Sequence, residues 1–316
     1  METPQNEAQW ERSVLEKIAI EGIAEQRRRR RWGIFFKLLG FIYLAVVLAY
    51  VIDWGGAADK HGDGKSHTAL VQLNGVIQAQ GQASADRVIS GLQAAFDDKG
   101  TRGVVLRINS PGGSPVQAGI INDEIWRLRA LHPKIPLYVV IEDICASGGY
   151  YVAAAADKIF VDKASIVGSI GVLMDGFGFT GTMEKLGVER RLLTAGENKG
   201  FLDPFSPQNA RQQAYAETML EEIHQQFIAA VRKGRGQRLK ETPELFSGLM
   251  WTGTKSVEMG LADGYGTVES VARDVIKAPD VRDYTVKQNL AEKFARQFGA
   301  DMSEGVANTL ARISIR

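Results

Sequence analysis

The sequence predicts an α/β protein with a mostly parallel sheet, attached to a membrane by one N-terminal helix. The first observation is the alternation of strand and helix patterns over residues 69–161, which is typical of right-handed βαβ crossovers. The second is an apolar run over residues 32–52, whose one charge is Lys37 and which follows arginines at 27–31. With 316 residues, 45% of them hydrophobic, the chain can also bury a sizeable core.

The apolar run is predicted to cross a membrane as a helix over residues 32–53. At about 1.5 Å per residue the run spans about 31 Å, which matches the hydrocarbon core of a bilayer. Lys37 lies near the basic end and can extend its ammonium to the interface. The arginines at 27–31 place residues 1–31 in the cytoplasm, because positive charges stay on the inner side. We expect a retained single-pass anchor, with the rest of the chain outside the inner membrane.

After the anchor, a polar and glycine-rich linker is predicted over residues 54–66 and a globular domain over residues 67–275. Within this domain the hydrophobic patterns predict strands at 69–77, 103–108, 136–142 and 158–161. They predict helices at 84–98, 115–131, 148–156 and 206–233. Residues 276–316 form a predicted C-terminal extension.

A serine turn follows the strand predicted at 136–142. Ser147 stands among small residues, and the glycines after it, Gly148 and Gly149, allow a sharp turn and a close approach of the backbone to a ligand. A strand–serine–helix turn exposes a hydroxyl at the end of a sheet with a backbone N–H beside it. This is the geometry of a serine nucleophile.

A second glycine turn, containing Gly112 and Gly113, follows the strand at 103–108 and precedes the helix that begins at Pro115. Its amide N–H groups can point at a negative charge from the mouth of the helix. Two such turns in successive βα units lie side by side at the carboxyl ends of neighbouring strands, where open α/β sheets bind ligands. One turn would carry the nucleophile, and the other would donate hydrogen bonds to the oxyanion of an acyl-transfer intermediate.

None of the histidines has a setting that indicates a catalytic base. His61 and His67 lie in or beside a polar stretch after the predicted membrane helix. His132 stands in a helix-ending turn, and His224 lies in a long charged helix. We expect all of them to be solvated or turn residues. A serine–lysine pair is the known alternative, and a lysine base needs a dry site without a carboxylate partner to be neutral near pH 7.

Composition and spacing argue against several other classes. The net charge of +1 provides no general attraction to nucleic acid. The sequence contains no cluster with metal-ligand spacing and no Walker-type lysine loop. Cys145 is the only cysteine, so an intrachain disulfide is excluded, and we expect a small buried residue there. We therefore expect no metal, no cofactor and no nucleic-acid partner.

Several motifs, in order, resemble signal peptide peptidase A, a family of membrane-anchored Ser–Lys proteases of bacteria. They are Asn109-Ser110-Pro111-Gly112-Gly113, Ala146-Ser147-Gly148-Gly149-Tyr150-Tyr151, Gly168-Ser169-Ile170-Gly171-Val172, Lys199 with Asp203-Pro204-Phe205, and Trp251-Thr252-Gly253 with Gly260-Leu261-Ala262-Asp263. The resemblance covers roughly residues 70–271. It implies the crotonase/Clp-like fold of stacked βαβ units. It also implies a periplasmic catalytic domain at the bacterial inner membrane and, as substrates, remnant signal peptides and other apolar peptides.

The resemblance also implies roles for individual residues. Ser147 is expected to be the nucleophile, Lys199 the general base, and Ser169 the residue that orients the lysine and relays its proton. The N–H groups of Gly113 and Gly148 are expected to form the oxyanion hole.

The chain matches the short form of this family, which has one catalytic repeat. In that form the serine and the lysine are expected from neighbouring subunits of a homo-oligomeric ring, so Lys199 would serve the Ser147 of an adjacent protomer. The sequence departs from the family at Gly200-Phe201-Leu202, where small or polar residues are expected. This departure leaves the local substrate contacts open.

Two other classes stay open at the level of sequence. An acyl-CoA hydratase would use the same two-amide hole, but those enzymes are soluble and lack the Ser–Lys pair. A catalytically idle, membrane-anchored scaffold that binds peptides would keep the same residues without turnover.

Overall fold

The computed structural model describes residues 4–56 and 65–286, which belong to two compact units. The first unit contains the long helix α1 (Pro4–Gly56). The second is a globular unit made from the residues between 65 and 286. The predicted linker lies largely outside the described residues, as does most of the predicted C-terminal extension.

Helix α1 includes the membrane span predicted over residues 32–53. Its large apolar side chains between Trp32 and Val47 are exposed. In the described parts of the chain, no helix meets the combined length and apolarity needed to cross a membrane. The anchor therefore stays a prediction.

The globular unit alternates strands and helices. The strands are β1 (His67–Asn74), β2 (Thr101–Ser110), β3 (Leu137–Ala146), β4 (Lys158–Val161), β5 (Ile166–Gly168), β6 (Met250–Thr252), β7 (Gly264–Tyr265) and β8 (Val281–Asp283). The helices are α2 (Ala85–Asp97), α3 (Pro115–Leu131), α4 (Gly148–Ala153), α5 (Thr180–Leu186), α6 (Ala210–Arg235), α7 (Gly253–Glu258) and α8 (Val268–Ser270). A 3₁₀ turn (Gly236–Arg238) follows α6, and a π-helix (Val271–Ile276) follows α8.

The strands form one sheet in the order β6-β5-β3-β2-β1-β8. Strand β4 pairs with the first part of β3 and also with β7, whereas β5 pairs with the last part of β3. Every pairing is parallel except that of β5 with β6. This arrangement confirms the predicted α/β class.

Both faces of the central strands are buried. Successive residues of a strand point to opposite faces, so Leu106 belongs to the larger core and Val105 to the smaller one. The larger core includes residues of α2, α3 and α4, and the smaller core is closed by Val268 and Val271. Burial on both sides explains why the strand sequences read as continuous apolar runs.

A buried ion pair connects α6 to the end of the sheet. The guanidinium of Arg235, whose side chain is fully buried, donates two hydrogen bonds to Asp263 (2.9 and 3.0 Å) and one to the carbonyl of Gly260 (2.8 Å). Asp263 also accepts the N–H of Ile159 in β4. Burial alone would raise the pKa of Asp263, but the bonds from Arg235 hold it below its ordinary value. The pair is therefore charged and fixes helix against sheet.

The strands and helices predicted from the sequence are all present; α3 and β4 have the predicted bounds, and the others differ at one or both ends. Strand β3 continues to Ala146 instead of ending at residue 142, and α6 begins at Ala210 instead of residue 206. Strands β5 to β8 were not predicted, because two or three residues cannot show a period. Strand β8 pairs with β1, so the sheet continues past residue 275, where the sequence placed the end of the domain.

The expectation that His67 is solvated is wrong. His67 begins β1 and is fully buried, because β2 and β8 flank it and Tyr284 stacks on its ring. Its Nδ1 lies 2.9 Å from the carbonyl of Lys65, and its Nε2 lies 2.9 Å from the hydroxyl of Tyr284. His132 caps the end of α3, in the turn that the sequence predicted. His61 lies outside the described residues.

The carboxylate of Asp98 makes stability depend on pH. Burial alone would raise the pKa of Asp98, but hydrogen bonds from Tyr284 and the N–H of Gly100, together with the charges of His67 and Arg282, hold it below the ordinary value of 3.8. Its contribution is therefore fully present above pH 3.8 and is lost as the pH falls below that value through the folded pKa.

We predict that Asp98→Asn lowers the free energy of unfolding near neutral pH by about 1.5–3 kcal/mol, as for hydrogen bonds to a charged group. The difference from wild type should shrink below pH 3.8. Denaturant unfolding of the full-length chain at stepped pH values measures both. In a Tyr284→Phe background, the pH-dependent part of the stability loss caused by Asp98→Asn should be smaller. A stability loss that stays constant as the pH falls would contradict a lowered pKa of Asp98.

Candidate active site

Three chain segments leave the sheet at the same edge. In the parallel register of β2 and β3, Ser110 pairs with Cys145, and in that of β3 and β5, Ala146 pairs with Gly168. The three strands run in the same direction, so the turns that follow them lie next to each other. The glycine turn, the serine turn and the turn after β5 are thus brought together.

Ser147 adopts a strained backbone conformation between β3 and α4, with φ 51° and ψ −125°. Positive φ is uncommon for a residue with a side chain. Here it is held from both sides, since the N–H of Ser147 donates to Gly168 O (2.9 Å) and its carbonyl accepts from Tyr151 N–H (3.0 Å). In the part of the chain that the structure describes, the hydroxyl of Ser147 makes no hydrogen bond, and the residue is half-buried. The hydroxyl is therefore available to a ligand.

The glycine turn approaches the serine turn so closely that Gly112 leaves no room for a side chain. A Cβ on Gly112 would lie 2.7 Å from the Cβ of Ser147 and 2.8 Å from the N of Gly148. Gly112 also has a φ of 102°, which residues with side chains rarely adopt. Both constraints require glycine, and the outcome is direct contact between the two turns.

The nitrogen atoms of two backbone amides, those of Gly113 and Gly148, lie at this contact. The bridge between Ile77 and Gly113 uses the N–H groups of Ile77 and Ser114, so it leaves the N–H of Gly113 unused. Gly148 is the first residue of α4, where helix geometry provides no internal acceptor for its N–H. A Cβ on Gly148 would lie 3.4 Å from the N of Gly113. The arrangement places two donors beside Ser147, as an oxyanion hole requires.

Ser169 follows β5 and also has positive φ, at 50°. Its N–H donates to Leu249 O (2.8 Å), which ties the turn to the start of β6. His224 of α6 donates from Nε2 to the carbonyl of Ile170 (3.1 Å). His224 is thus partly buried and structural, in contrast to the solvated residue that the sequence suggested.

Lys199 lies in a long excursion that we call the arm, residues 171–209, between β5 and α6. The arm contains α5, and none of its residues is buried. The side chain of Lys199 is exposed, and its backbone N–H donates to Gly196 O in a turn. Among the residues that the structure describes, Lys199 makes no hydrogen bond to Ser147 or Ser169. The fold of one chain therefore brings the two serines together, whereas Lys199 lies on the exposed arm.

The acidic neighbours of Lys199 are paired with other residues. Glu197 lies 3.4 Å from Arg211, and Asp203 lies 3.2 Å from Arg190. A hydrogen bond from Ser206, assisted by the charge of Arg190, holds the pKa of Asp203 below its ordinary value. Neither carboxylate is therefore held against Lys199.

Residues that sequence reasoning did not single out support these turns. Ser110 is fully buried, and Tyr150 is fully buried with its hydroxyl donating to Leu261 O (2.8 Å). Burial raises the pKa of Tyr150. Both lie inside the motifs quoted above, but a motif does not show which of its side chains point inward.

Cys145 is buried in the core, as predicted. Burial raises the pKa of its thiol, which disfavours the reactive thiolate and argues against Cys145 as a nucleophile. Over residues 4–56 and 65–286, no group of three or more His, Cys, Asp or Glu side chains could hold a metal ion.

Comparison with known proteins points to a peptidase family. The profile of peptidase family S49 matches residues 129–282, which include Ser147, Ser169 and Lys199. A putative signal peptide peptidase SppA of Enterococcus faecium is 31% identical over 234 residues, covering 71% of this chain and 67% of that one. A putative protease of Methanocaldococcus jannaschii is 32% identical over 223 residues, covering 69% and 70%.

A longer protein shows higher identity over a smaller part of its length. The Na(+)/H(+) antiporter NhaA of Brucella melitensis is 44% identical over 209 residues, which cover 65% of this chain and 28% of that protein. The chain thus spans little more than a quarter of that relative.

We predict that Gly112→Ala lowers the free energy of unfolding by about 1–3 kcal/mol, because the added Cβ would overlap the serine turn and force a disfavoured φ. The matched control is Gly119→Ala in α3, where a Cβ would meet nothing within 4 Å and where alanine favours a helix. Denaturant unfolding of the full-length variants measures both. Equal stability of the two variants would show that the turns do not approach this closely.

Proposed function

The chain belongs to peptidase family S49, and we propose that it is a membrane-anchored serine endopeptidase with Ser147 as nucleophile and Lys199 as general base. The observation that carries the proposal is the strained Ser147 at the start of α4, with the amides of Gly113 and Gly148 beside it. The order of βαβ units further supports the crotonase/Clp type of fold.

The proposed reaction is acyl transfer through the serine. The Oγ of Ser147 attacks the scissile carbonyl while its proton passes to the neutral amine of Lys199, and the amides of Gly113 and Gly148 bind the oxyanion. The lysine then gives this proton to the leaving amine. Water, deprotonated by the same lysine, then attacks the carbonyl of the acyl-serine, the C–Oγ bond breaks, and Ser147 takes the proton from the lysine as the acid product leaves. Ser169, which follows β5 beside the serine turn, is the proposed residue that orients the lysine and relays its proton.

We propose that Lys199 acts on the Ser147 of a neighbouring protomer in a closed ring. The arm leaves Lys199 exposed in one chain, whereas a lysine base must be desolvated to be neutral. The arm also exposes large apolar side chains, including Leu173 (79%), Phe177 (80%) and Leu193 (96%). Apolar surface of this kind favours burial against another molecule. A neighbouring copy would cover it and dry the site.

The proposed substrates are apolar peptides, with remnant signal peptides as the physiological class. Val76 and Val116 flank the glycine turn and are exposed (53% and 68%), so apolar surface adjoins the candidate oxyanion hole. We propose that residues 32–53 anchor the protein in the bacterial inner membrane, with the catalytic unit on the periplasmic side. The exposed arginines at 27–31 and the exposed apolar side chains after them support this topology.

We predict that a fluorophosphonate probe labels the full-length protein in detergent, and that Ser147→Ala abolishes labelling. Lys199→Ala should slow labelling and apolar-peptide hydrolysis by about a thousandfold or more, because removing one member of a catalytic unit costs nearly the whole effect. Lys185→Ala, an exposed lysine in the same arm, is the matched control and should behave as wild type. An unlabelled, folded wild type would favour the idle scaffold, and a fast Lys199→Ala enzyme would require another base.

We predict partial recovery of activity when Ser147→Ala and Lys199→Ala chains assemble together. In a closed heterologous ring, about one quarter of the interfaces would join an intact serine to an intact lysine. Peptide hydrolysis by co-assembled chains measures the recovery, and rings of each variant alone are the controls. If native mass spectrometry detects mixed rings that remain inactive, the dyad lies within one chain.

A further inference from the structure

Ser110 connects two of the turns at the candidate active site. It is the last residue of β2 and is fully buried. Its hydroxyl donates to the carbonyl of Gly75 (2.7 Å) and accepts the N–H of Gly112 (3.1 Å). One side chain thus holds the turn after β1 and the turn after β2 together.

These bonds bear on the direction in which the amide of Gly113 points. The carbonyl of Gly112 accepts the N–H of Ile77 (2.8 Å). In a trans peptide the C=O and N–H point in opposite directions, so this bond directs the N–H of Gly113 away from Ile77. The peptide before Gly112 is held by Ser110, and the segment that carries Ile77 begins at Gly75, which Ser110 also holds.

A pair of glycines makes this restraint necessary. Gly112 and Gly113 have φ of 102° and 144°, and glycine populates many other conformations at little cost. Rotation of the peptide between them would turn the N–H of Gly113 away from Gly148. The hydrogen bond from the N–H of Ile77 restrains the carbonyl of this peptide. The hydroxyl of Ser110 restrains the chain just before it, through the N–H of Gly112.

We infer that Ser110 is a positioning residue that orients the Gly113 amide toward the oxyanion, without touching the substrate. This inference rests on the proposed function, since it assigns the Gly113 amide to the oxyanion hole. Losing the restraint should weaken binding of the transition state much more than binding of the ground state. The turnover number should therefore fall while KM changes little.

Ser165 provides a matched control. It is also a buried serine (2% exposed), and its hydroxyl donates to the carbonyl of Glu142 (2.5 Å) and accepts the N–H of Asp162 (3.1 Å). It lies before β5, at the opposite end of that strand from Ser169. Ser110→Ala and Ser165→Ala therefore each remove one hydrogen bond donated to a carbonyl and one accepted from an N–H, at different places in the sheet.

The test is steady-state hydrolysis of a fluorogenic apolar peptide by the full-length enzyme in detergent, with thermal unfolding of each variant. We expect Ser110→Ala to lower kcat by about 10- to 100-fold with KM within about twofold, as for a weakened oxyanion donor. Ser165→Ala should lose similar thermal stability and keep kcat within about threefold of wild type. Equal kcat values for the two variants, or a change of Ser110→Ala in KM alone, would overturn the inference.

A second pair of variants covers the case in which Ser110→Ala does not fold. Ser110→Cys fills the site with a thiol that is a weak hydrogen-bonding group, and Ser165→Cys is its control. We expect a smaller drop in kcat for Ser110→Cys than for Ser110→Ala, and again none for the control. A wild type that neither hydrolyses peptide nor reacts with the fluorophosphonate would overturn the proposed function itself. An active wild type with two equally active serine variants would overturn the role of Ser110 alone.

Discussion

The parallel register of β2, β3 and β5 is the constraint on which the candidate site depends. It pairs Ser110 with Cys145 and Ala146 with Gly168, so the three turns begin at nearly the same height on the sheet. A shift of one residue in either pairing would reverse which side chains face the core. Because both faces of these strands are buried in different cores, such a shift would exchange the side chains of the larger and the smaller core and disrupt the packing of both. Core burial thereby fixes the geometry of the site.

Close backbone contact makes the site compatible with a serine nucleophile. The turns meet at Gly112, where no Cβ fits, and the strain at Ser147 is held by hydrogen bonds from the neighbouring turn. A strained residue persists only where its surroundings over-determine it. The glycines allow the two turns to approach each other but also leave the backbone flexible. A buried hydroxyl such as that of Ser110 is therefore needed to hold the amides in one orientation.

The arm differs from the sheet because none of its residues is buried. Most of its large apolar side chains are exposed, and the ion pair of Arg190 with Asp203 joins two residues of the arm itself. One chain therefore holds Ser147 and the two amides between well-packed strands and presents Lys199 on an open surface. This division is the reason for our proposal that a second copy completes the site.

The sequence by itself determined the α/β class, the main strands and helices, the two glycine turns, and the burial of Cys145, because these follow from hydrophobic period and from the conformations that only glycine allows. The roles of Ser147 and Lys199 came from motifs and stay proposals. Only the tertiary structure decided that His67 is buried under Tyr284, that His224 holds the carbonyl of Ile170, and that Ser110 links two turns. These are contacts between residues 35 or more positions apart in the chain, and local patterns carry no information about which distant groups meet.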